Sequence, residues 1–369
     1  MSKAAELAAL IGGTSGSSLS NRNMIINGAM NVAQRGDQTG VTDGFACDRF
    51  NIVDGNTTAV VDASQSSTSP DGFANSLKVD VTTAQSSLSS NSVDYIRYKF
   101  EGQNLQQLQY GTSSAKKVTV SFYVRSSTTG TYVFNMYSND SNRTSRQTYT
   151  IDSADTWERK TLTFNGDTSN GFDDDNNASL SLHWVLAAGS DYTGGSLAEN
   201  TWGTYASNLF AEGQTVNLLS STSNDFHITG VQLEIGEQAT PFEHRSFGDE
   251  LAACQRYYQK TFAYATVPAQ NLDTYSGSIM GVARSVTSTS AWEPCGTWDL
   301  AVSMRATPSI VSFNPYVANA EWGNSSAVSS SNFRVLASTA DRISCDNTGN
   351  TVNFGSNNPA IQLTAEAEL

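Results

Sequence analysis

Six aromatic residues lie in stretches whose composition suits sugar binding. They are Tyr192, Trp202, Tyr205, Trp292, Tyr316 and Trp322. A sugar is recognised when an aromatic face stacks on its C–H surface and nearby amide, hydroxyl or carboxylate groups bond its hydroxyls. The first three lie in a segment rich in Gly, Ser and Asn, and the last three lie near loops further along the chain. We predict these six as ligand-binding residues, with packing at a subunit interface as the alternative for the last three.

One group of carboxylates is dense enough to suggest a metal ion. Asp173, Asp174 and Asp175 are consecutive, and Asp167 lies shortly before them. Oxygen ligands in a loop suit Ca²⁺, although the run lacks the spacing of an EF-hand loop. A structural Ca²⁺ is therefore one interpretation, and a solvated acidic loop is the other.

No residue pattern predicts catalysis. His183, His227 and His244 have no catalytic motif around them, and the sequence contains no GxSxG. A pair of acids for glycoside hydrolysis would be set by spatial separation, which the sequence does not display. The four cysteines are far apart without a CxxC, which favours buried free thiols over a metal site or a disulfide framework. We expect a protein that is not an enzyme and has no other cofactor.

Charge and hydropathy exclude two kinds of partner. Only 15% of the 369 residues are charged, and the formal net charge is −14. Such a surface repels a phosphate backbone or an anionic membrane. No apolar run approaches the length of a membrane span, and the first residues do not resemble a secretory signal. We therefore expect neither nucleic-acid binding nor membrane insertion.

The elements that would hold these residues are mostly strands. Between residues 21 and 247, about eleven short apolar runs are separated by turn residues, which predicts a β-sandwich. Leu180, Leu182, Trp184 and Leu186 alternate, so Trp184 should face the core and His183 the opposite, partly exposed side. Residues 261–369 give further short strands and predict a smaller β domain.

A junction separates these two regions. Val231, Leu233 and Ile235 alternate as in a strand, and Pro241 favours an extended strap through Arg245. A linking helix is predicted over 248–260, with Phe247, Leu251, Cys254 and Tyr258 on one stripe. Residues 1–20 predict a short helix followed by a flexible Gly/Ser linker.

These motifs carry a family resemblance. GVQLEIGEQATPFEHRSFGDELAACQRYY resembles the junction of bacteriophage tail-fibre proteins, and NRNMIINGAMNVAQRG, TDGFACDRF, MRATPS and the final AEAEL are similar to other segments of the same proteins. The resemblance implies a jelly-roll sandwich of the carbohydrate-binding kind, followed by a C-terminal β domain that closes a trimer.

The resemblance also implies a function. The chain would be a homotrimeric virion appendage, made in the host cytoplasm, that adheres to a glycan or protein of the bacterial surface. Its N-terminus would bind other tail or virion proteins. A capsid fibre or decoration protein without a receptor, and a capsule-degrading enzyme, are the alternatives.

Overall fold

The computed structural model describes residues 22–274, 276–280, 293–324, 327–331, 333–347 and 359–369. The described chain forms two compact units, and the last change from one to the other falls between Ser246 and Phe247. The second unit also takes in Val32–Gln38 and Phe45–Phe50, which the sequence-based division at residue 247 assigns to the sandwich. The predicted N-terminal helix and linker of residues 1–20 lie outside the described residues.

The first unit is built from twelve strands and one short helix in its described part. These are β1 (Asp43–Gly44), β2 (Asn51–Gly55), β3 (Val60–Ser66), β4 (Ser76–Thr83), β5 (Val93–Glu101), β6 (Val118–Ser126), β7 (Gly130–Ser138), β8 (Arg143–Ile151), β9 (Glu158–Phe164), β10 (Ala178–Ala188), α1 (Ser190–Thr193), β11 (Gly203–Thr204) and β12 (Asp225–Ile235).

These strands form two antiparallel sheets. One has seven strands in the order β1-β2-β5-β10-β7-β8-β11, and the other has five in the order β3-β4-β12-β6-β9. Strands that are neighbours in space are often distant in sequence, as in a jelly roll. The prediction of an all-β sandwich is confirmed.

Aromatic side chains from both sheets meet in the core of this unit. Trp184 is fully buried, and its ring lies 5.0 Å from Phe134 on the same sheet and 5.9 Å from Phe122 on the other. Leu180, Leu182 and Leu186 share its face and are buried as well. The period-two pattern of β10 therefore directs Trp184 inward, as predicted.

The strap after β12 holds the start of the described chain against that strand. The side chain of Asn23 accepts a hydrogen bond from Leu233 N at 3.1 Å and donates one to Val231 O at 3.1 Å. Glu243 accepts from Asn23 N at 2.7 Å, and Arg245 donates to Asn23 O. Every one of these contacts spans more than 200 residues of sequence. The structural role of the ATPFEHR motif is to supply two of them, from Glu243 and Arg245.

The second unit contains one helix and nine strands in its described part. These are α2 (Phe247–Gln255), β13 (Tyr258–Lys260), β14 (Ile279–Met280), β15 (Glu293–Asp299), β16 (Ser309–Phe313), β17 (Trp322–Asn324), β18 (Ala327–Ser331), β19 (Phe333–Ser338), β20 (Arg342–Asn347) and β21 (Ala360–Glu366). Strand β21 makes the largest number of strand pairings in the described part of this unit, since it pairs with β13, β14, β16 and β17. The remaining sheet has the order β15-β20-β19.

The linking helix differs from its prediction in length and in the stripe it buries. It ends at Gln255, and Tyr258 begins β13 because its backbone pairs with Glu366 of β21. Cys254 is buried, whereas Phe247 is 47% exposed and contacts Tyr264 edge-on. The predicted helix over 248–260 is therefore right at its start and wrong at its C-terminal end, and the prediction that Phe247 and Tyr258 lie on its buried stripe is wrong.

Residues from four sequence motifs form one buried, charged cluster in the second unit. Arg35 contacts Asp48 at 3.6 Å and Glu368 at 3.1 Å, while Arg49 pairs with Glu368 from the other side. Tyr258 stacks under the guanidinium of Arg35, 3.8 Å from its carbon to the ring centre. The NVAQRG, ACDRF, CQRYY and AEAEL motifs therefore meet in one place, which we call the charge cluster.

Two further expectations can be compared with the structure. Cys47, Cys254 and Cys345 are buried free thiols, and the side chain of Cys295 lies outside the described residues. Across the described ranges, no helix is both long enough and apolar enough to span a membrane.

Candidate functional site

A cleft opens on the face of the seven-stranded sheet that points away from the core. Along β5, Ile96, Tyr98 and Phe100 are buried in the core, so the alternating residues between them face outward. Those outward residues are Tyr95, Arg97 and Lys99. One strand thus supplies an aromatic ring and two cations to the same surface.

Neighbouring strands add hydrogen-bonding groups beside this row. Ser181 pairs with Lys99 and His183 with Arg97 across the β5–β10 ladder, and Ser181 pairs with Tyr137 across the β10–β7 ladder. Side chains on paired residues point to the same face, so they stand side by side. The sheet therefore forms a floor of alternating polar and aromatic groups.

A long loop raises one wall of the cleft. The ring of Tyr205 lies 5.1 Å from that of Tyr137, and the ring of Phe210 lies 5.2 Å from that of Tyr95. The open cavity that results has a volume of about 290 Å³. It is lined by Tyr95, Arg97, Lys99, Tyr137, Asn139, Ser181, His183, Tyr205 and Phe210.

His183 lies on the floor of the cleft and is neutral at physiological pH. It is 5% exposed, and rings of Tyr95 and Phe210 lie 5.2 and 5.1 Å from its own. Burial, and then the positive charges of Arg97 and Lys99, lower its pKa to about 3. His183 was predicted to be a partly exposed strand residue; it is on the predicted face but is covered by the surrounding rings.

Tyr95 and Tyr205 keep their protons in the cleft. Burial raises the pKa of Tyr205 to about 12, and burial also raises the pKa of Tyr95 against the opposing effect of Arg97. A protonated phenol both donates and accepts hydrogen bonds. The cleft can therefore offer ring faces, hydroxyls, an amide and cations to a polar ligand.

The structure brings one of the predicted aromatic residues into the cleft and places two others nearby or elsewhere in the unit. Tyr205 lines the cleft, and Tyr192 packs beside it with its ring 6.1 Å from that of Phe210. Trp202 does not line the cleft. Its indole donates to Asn165 O at 2.8 Å and its ring meets Tyr110 edge-on, which gives Trp202 a packing role.

Two of the three aromatic candidates of the second unit, Tyr316 and Trp322, lie among the described residues. Trp322 is fully buried in the core of that unit and donates to Asp346 O at 3.2 Å, so no ligand can reach its ring. Its prediction as a ligand-binding residue is wrong, because it begins a strand that pairs with β21 and not an exposed loop. Tyr316 is half-buried, and Trp292 lies outside the described residues.

Two of the four predicted metal ligands have carboxylates held by other partners. Asp167 is 3% exposed and forms an ion pair with Arg143, with 2.6 Å between Oδ2 and Nε. Asp175 accepts from the backbone and the side chain of Asn177. Asp173 and Asp174 stay in the same loop, and no three acidic, His or Cys side chains converge on a metal-sized space within the described chain. The structure does not assemble the Ca²⁺ site that the sequence suggested.

Most of the cleft was not predicted from the sequence. The missed residues belong to strands and are Tyr95, Arg97, Lys99 and Tyr137. The sequence instead predicts ligand-binding residues in loops. The alternation in VDYIRYKFE was the available signal, since it separates two aromatic residues on one face from an aromatic and two cations on the other.

Comparisons with known proteins find similar structures at low identity. No protein-family model matches the chain, and no curated protein matches it. Structural relatives include the enzymatically active domain of tailspike protein 4 of bacteriophage CBA120, which is 9% identical with a TM-score of 0.31. That match covers 58% of this chain and only 22% of the tailspike chain, so this chain corresponds to about a fifth of its length.

Carbohydrate-binding modules of Clostridium thermocellum are also among the similar structures. A family 11 module, solved with a β-1,3-1,4-mixed-linked tetrasaccharide, is 14% identical, with 57% of this chain and 98% of that chain covered and a TM-score of 0.27. The C-terminal family 22 module of Xyn10B is 11% identical, with 60% and 100% covered and a TM-score of 0.28.

Proposed function

We propose that this protein is a bacteriophage tail fibre whose first unit binds a glycan of the bacterial surface. The observation that supports glycan binding is the cleft itself. Rings of Tyr95, Tyr137 and Tyr205 surround a cavity of about 290 Å³ whose floor carries a hydroxyl and an imidazole. Stacking surfaces beside such groups match the alternating C–H faces and hydroxyls of a sugar.

The virion role is supported by the motifs. The segments that resemble tail-fibre proteins are the ones that build the strap and the charge cluster, so they are long-range structural contacts in this chain. On this proposal the protein is a homotrimer in the virion. Three copies of a shallow cleft on one particle then gain avidity, which allows each site to be weak.

We propose binding without hydrolysis. Glycoside hydrolysis needs two carboxyl groups on either side of the scissile bond. Within the described chain, no carboxyl group lines the cleft. His183 is an unsuitable base because its surroundings oppose protonation over the pH range in which it would have to accept a proton.

Adsorption of the full-length protein to host cells tests the proposal. The protein should bind cells and their extracted surface polysaccharide and should block later phage adsorption. Tyr205→Ala should weaken binding by about fivefold, since one stacking ring contributes about 1 kcal/mol. Tyr205→Phe should retain most of the binding because it keeps the ring.

Tyr123→Ala is the matched control for this experiment. Tyr123 is a half-buried tyrosine on the five-stranded sheet, where it packs against Phe73. It should bind like the unmodified protein when both are shown to be folded by thermal denaturation. Failure of the folded protein to bind cells would contradict the proposal and favour a virion component without a receptor.

A further inference from the structure

The cleft has a charge opposite to that of the chain as a whole. The formal net charge of the protein is −14. In the described chain, however, the groups that line the cleft include Arg97 and Lys99 and no acid. The two cations are two residues apart on one strand face, which places their backbones about 7 Å from each other.

The protein neutralises Arg97 only in part. Its Nη2 donates to the neutral amide oxygen of Asn51 at 2.9 Å, and its nearest carboxylate is Asp43 at 3.8 Å. The side chain of Asp43 is 70% exposed, so water screens that pair. Arg97 Nε is buried and has no hydrogen-bond acceptor among the described residues. Among the described residues, the guanidinium charge thus faces one carboxylate within 4.0 Å, and that carboxylate is exposed.

The positive potential reaches the floor of the cleft. His183 is the cross-strand partner of Arg97 in the β5–β10 ladder, and the charges of Arg97 and Lys99 both oppose its protonation. A neutral sugar in this cleft would cover the partly neutralised Arg97 without bringing a charge to compensate it, which has a desolvation cost. An oxyanion would instead form charge-assisted hydrogen bonds, which are stronger than neutral ones.

We propose that the glycan bound by this cleft is anionic, and that Arg97 and Lys99 hold its carboxylate or phosphate group while the tyrosine rings stack on its sugars. This inference rests on the proposed glycan-binding function and adds the chemical class of the ligand. Bacterial surface glycans carry either oxyanion, and the shared chemistry is an oxyanion within reach of two cations.

A glycan panel separates this inference from the function on which it rests. Full-length protein is applied to an array of bacterial surface polysaccharides that includes neutral and acidic members. The expected result is binding concentrated on acidic members. Binding to neutral members with equal strength would overturn the inference and leave glycan binding intact, whereas no binding at all by the folded protein would overturn both.

Chemical treatment of a bound polysaccharide identifies the oxyanion. Carboxyl reduction turns uronic acids into neutral sugars, and treatment with hydrofluoric acid removes phosphate. One of the two treatments should lower affinity by about tenfold, the change expected when a charge-assisted hydrogen bond of about 1.5 kcal/mol is lost. Unchanged affinity after both treatments would contradict the inference.

Matched charge variants locate the effect. Lys99→Gln and Arg97→Gln should each lower affinity for the acidic polysaccharide about tenfold and should lower affinity for its neutralised form by a smaller factor. Lys78→Gln removes the same charge from the five-stranded sheet and should have no effect. A single-stranded oligonucleotide is the polyanion control, and tighter binding of it than of every polysaccharide would refute the inference.

Discussion

At the scale of single residues, the environment of a side chain decides its chemistry. His183 lies among aromatic rings with two cations beside it, and these neighbours keep it neutral. Trp322 resembles a loop residue in sequence but is fully buried. Residue type therefore identifies candidates, whereas burial and neighbours determine which of them can meet a ligand.

His183 should make the first unit less stable in acid. Its pKa in the folded state is about 3, below the usual 6.5, so between these values the unfolded chain binds more protons than the folded chain. The stabilising contribution of the neutral His183 is therefore fully present above pH 6.5. As the pH is lowered, the free energy of unfolding falls by roughly 1.4 kcal/mol per pH unit until the folded-state pKa is approached.

Urea unfolding at several pH values between 7 and 4 measures this dependence. His183→Gln keeps a neutral polar side chain and should have a smaller loss of stability on acidification than the unmodified protein. Carboxylates elsewhere titrate in both proteins, so the difference between the two curves isolates the histidine. Parallel curves would show that His183 accepts a proton in the folded state without cost.

At the scale of elements, close backbone packing joins the start of the described chain to β12. A Cβ atom at Gly28 would lie 2.1 Å from Val231 O, a contact that requires the backbone to move. Val231 N donates to Gly28 O at 2.9 Å across the same gap. Glycine at this position therefore allows the two backbones to approach closely enough to form a hydrogen bond.

Gly28→Ala should therefore destabilise the first unit by about 2 kcal/mol or more, through overpacking against the β12 backbone. Gly194→Ala is the control, because an added Cβ there would meet only Ser190 O at an ordinary 3.5 Å. The comparison is made by thermal denaturation followed by circular dichroism. Equal melting temperatures for the two variants would show that the segment around Gly28 can move away from β12 without loss of stability.

Two acidic residues, one at the end of β21 and one just after it, support a second prediction at this scale. Glu368 is 8% exposed and pairs with both Arg35 and Arg49, whereas Glu366 is 44% exposed and lies 3.5 Å from Arg35. Glu368→Gln should cost about 3 kcal/mol of stability, because it leaves two buried guanidinium groups short of a charge.

Glu366→Gln should cost less than about 1 kcal/mol, since exposed ion pairs contribute little. Both variants remove one negative charge within two residues of each other, so they form a matched pair. Urea denaturation monitored by tryptophan fluorescence measures both losses, with the buried Trp184 of the first unit and the buried Trp322 of the second unit contributing to the signal. A larger loss for Glu366→Gln than for Glu368→Gln would contradict the assignment of the charge cluster.

Part of this architecture could be read from the sequence, and part could not. Alternation in β10 correctly directed Trp184 inward, because a strand with one buried face leaves a period of two. The cleft was missed because β5 carries aromatic residues on both faces, so alternation separates Tyr95 from Tyr98 without showing which of the two faces is buried. Asn-, Ser- and Gly-rich stretches conceal short strands such as β17, which misplaced Trp322. Partners separated by more than 200 residues leave no periodic signal, so the charge cluster and the strap contacts were also invisible.

At the scale of the whole molecule, the two units are interleaved in sequence. The second unit needs Val32–Gln38 and Phe45–Phe50 in addition to Phe247–Leu369. Those early segments supply Arg35, Asp48 and Arg49 to the charge cluster. Cutting the chain at the start of α2 would therefore divide one folded unit.

A fragment of residues 247–369 should accordingly fail to fold alone. Without Arg35 and Arg49, the buried Glu368 has lost both its cationic partners. Addition in trans of a peptide of residues 22–50 should restore protection from proteolysis, and the same peptide with Arg35→Gln and Arg49→Gln should not. A protease-resistant fragment in the absence of any peptide would contradict the prediction.

The charge cluster also has a consequence for synthesis on the ribosome. Arg35 and Glu368 are separated by 333 residues. At a translation rate of about 5 to 20 residues per second, Arg35 waits on the order of 20 to 60 s for its acidic partner. During that time the nascent chain can complete its sandwich, whereas two cations destined for a buried site remain in water. A chain released early by a premature stop codon would never bury them. The cell's proteases would therefore meet these two arginines buried in full-length chains and exposed in truncated chains.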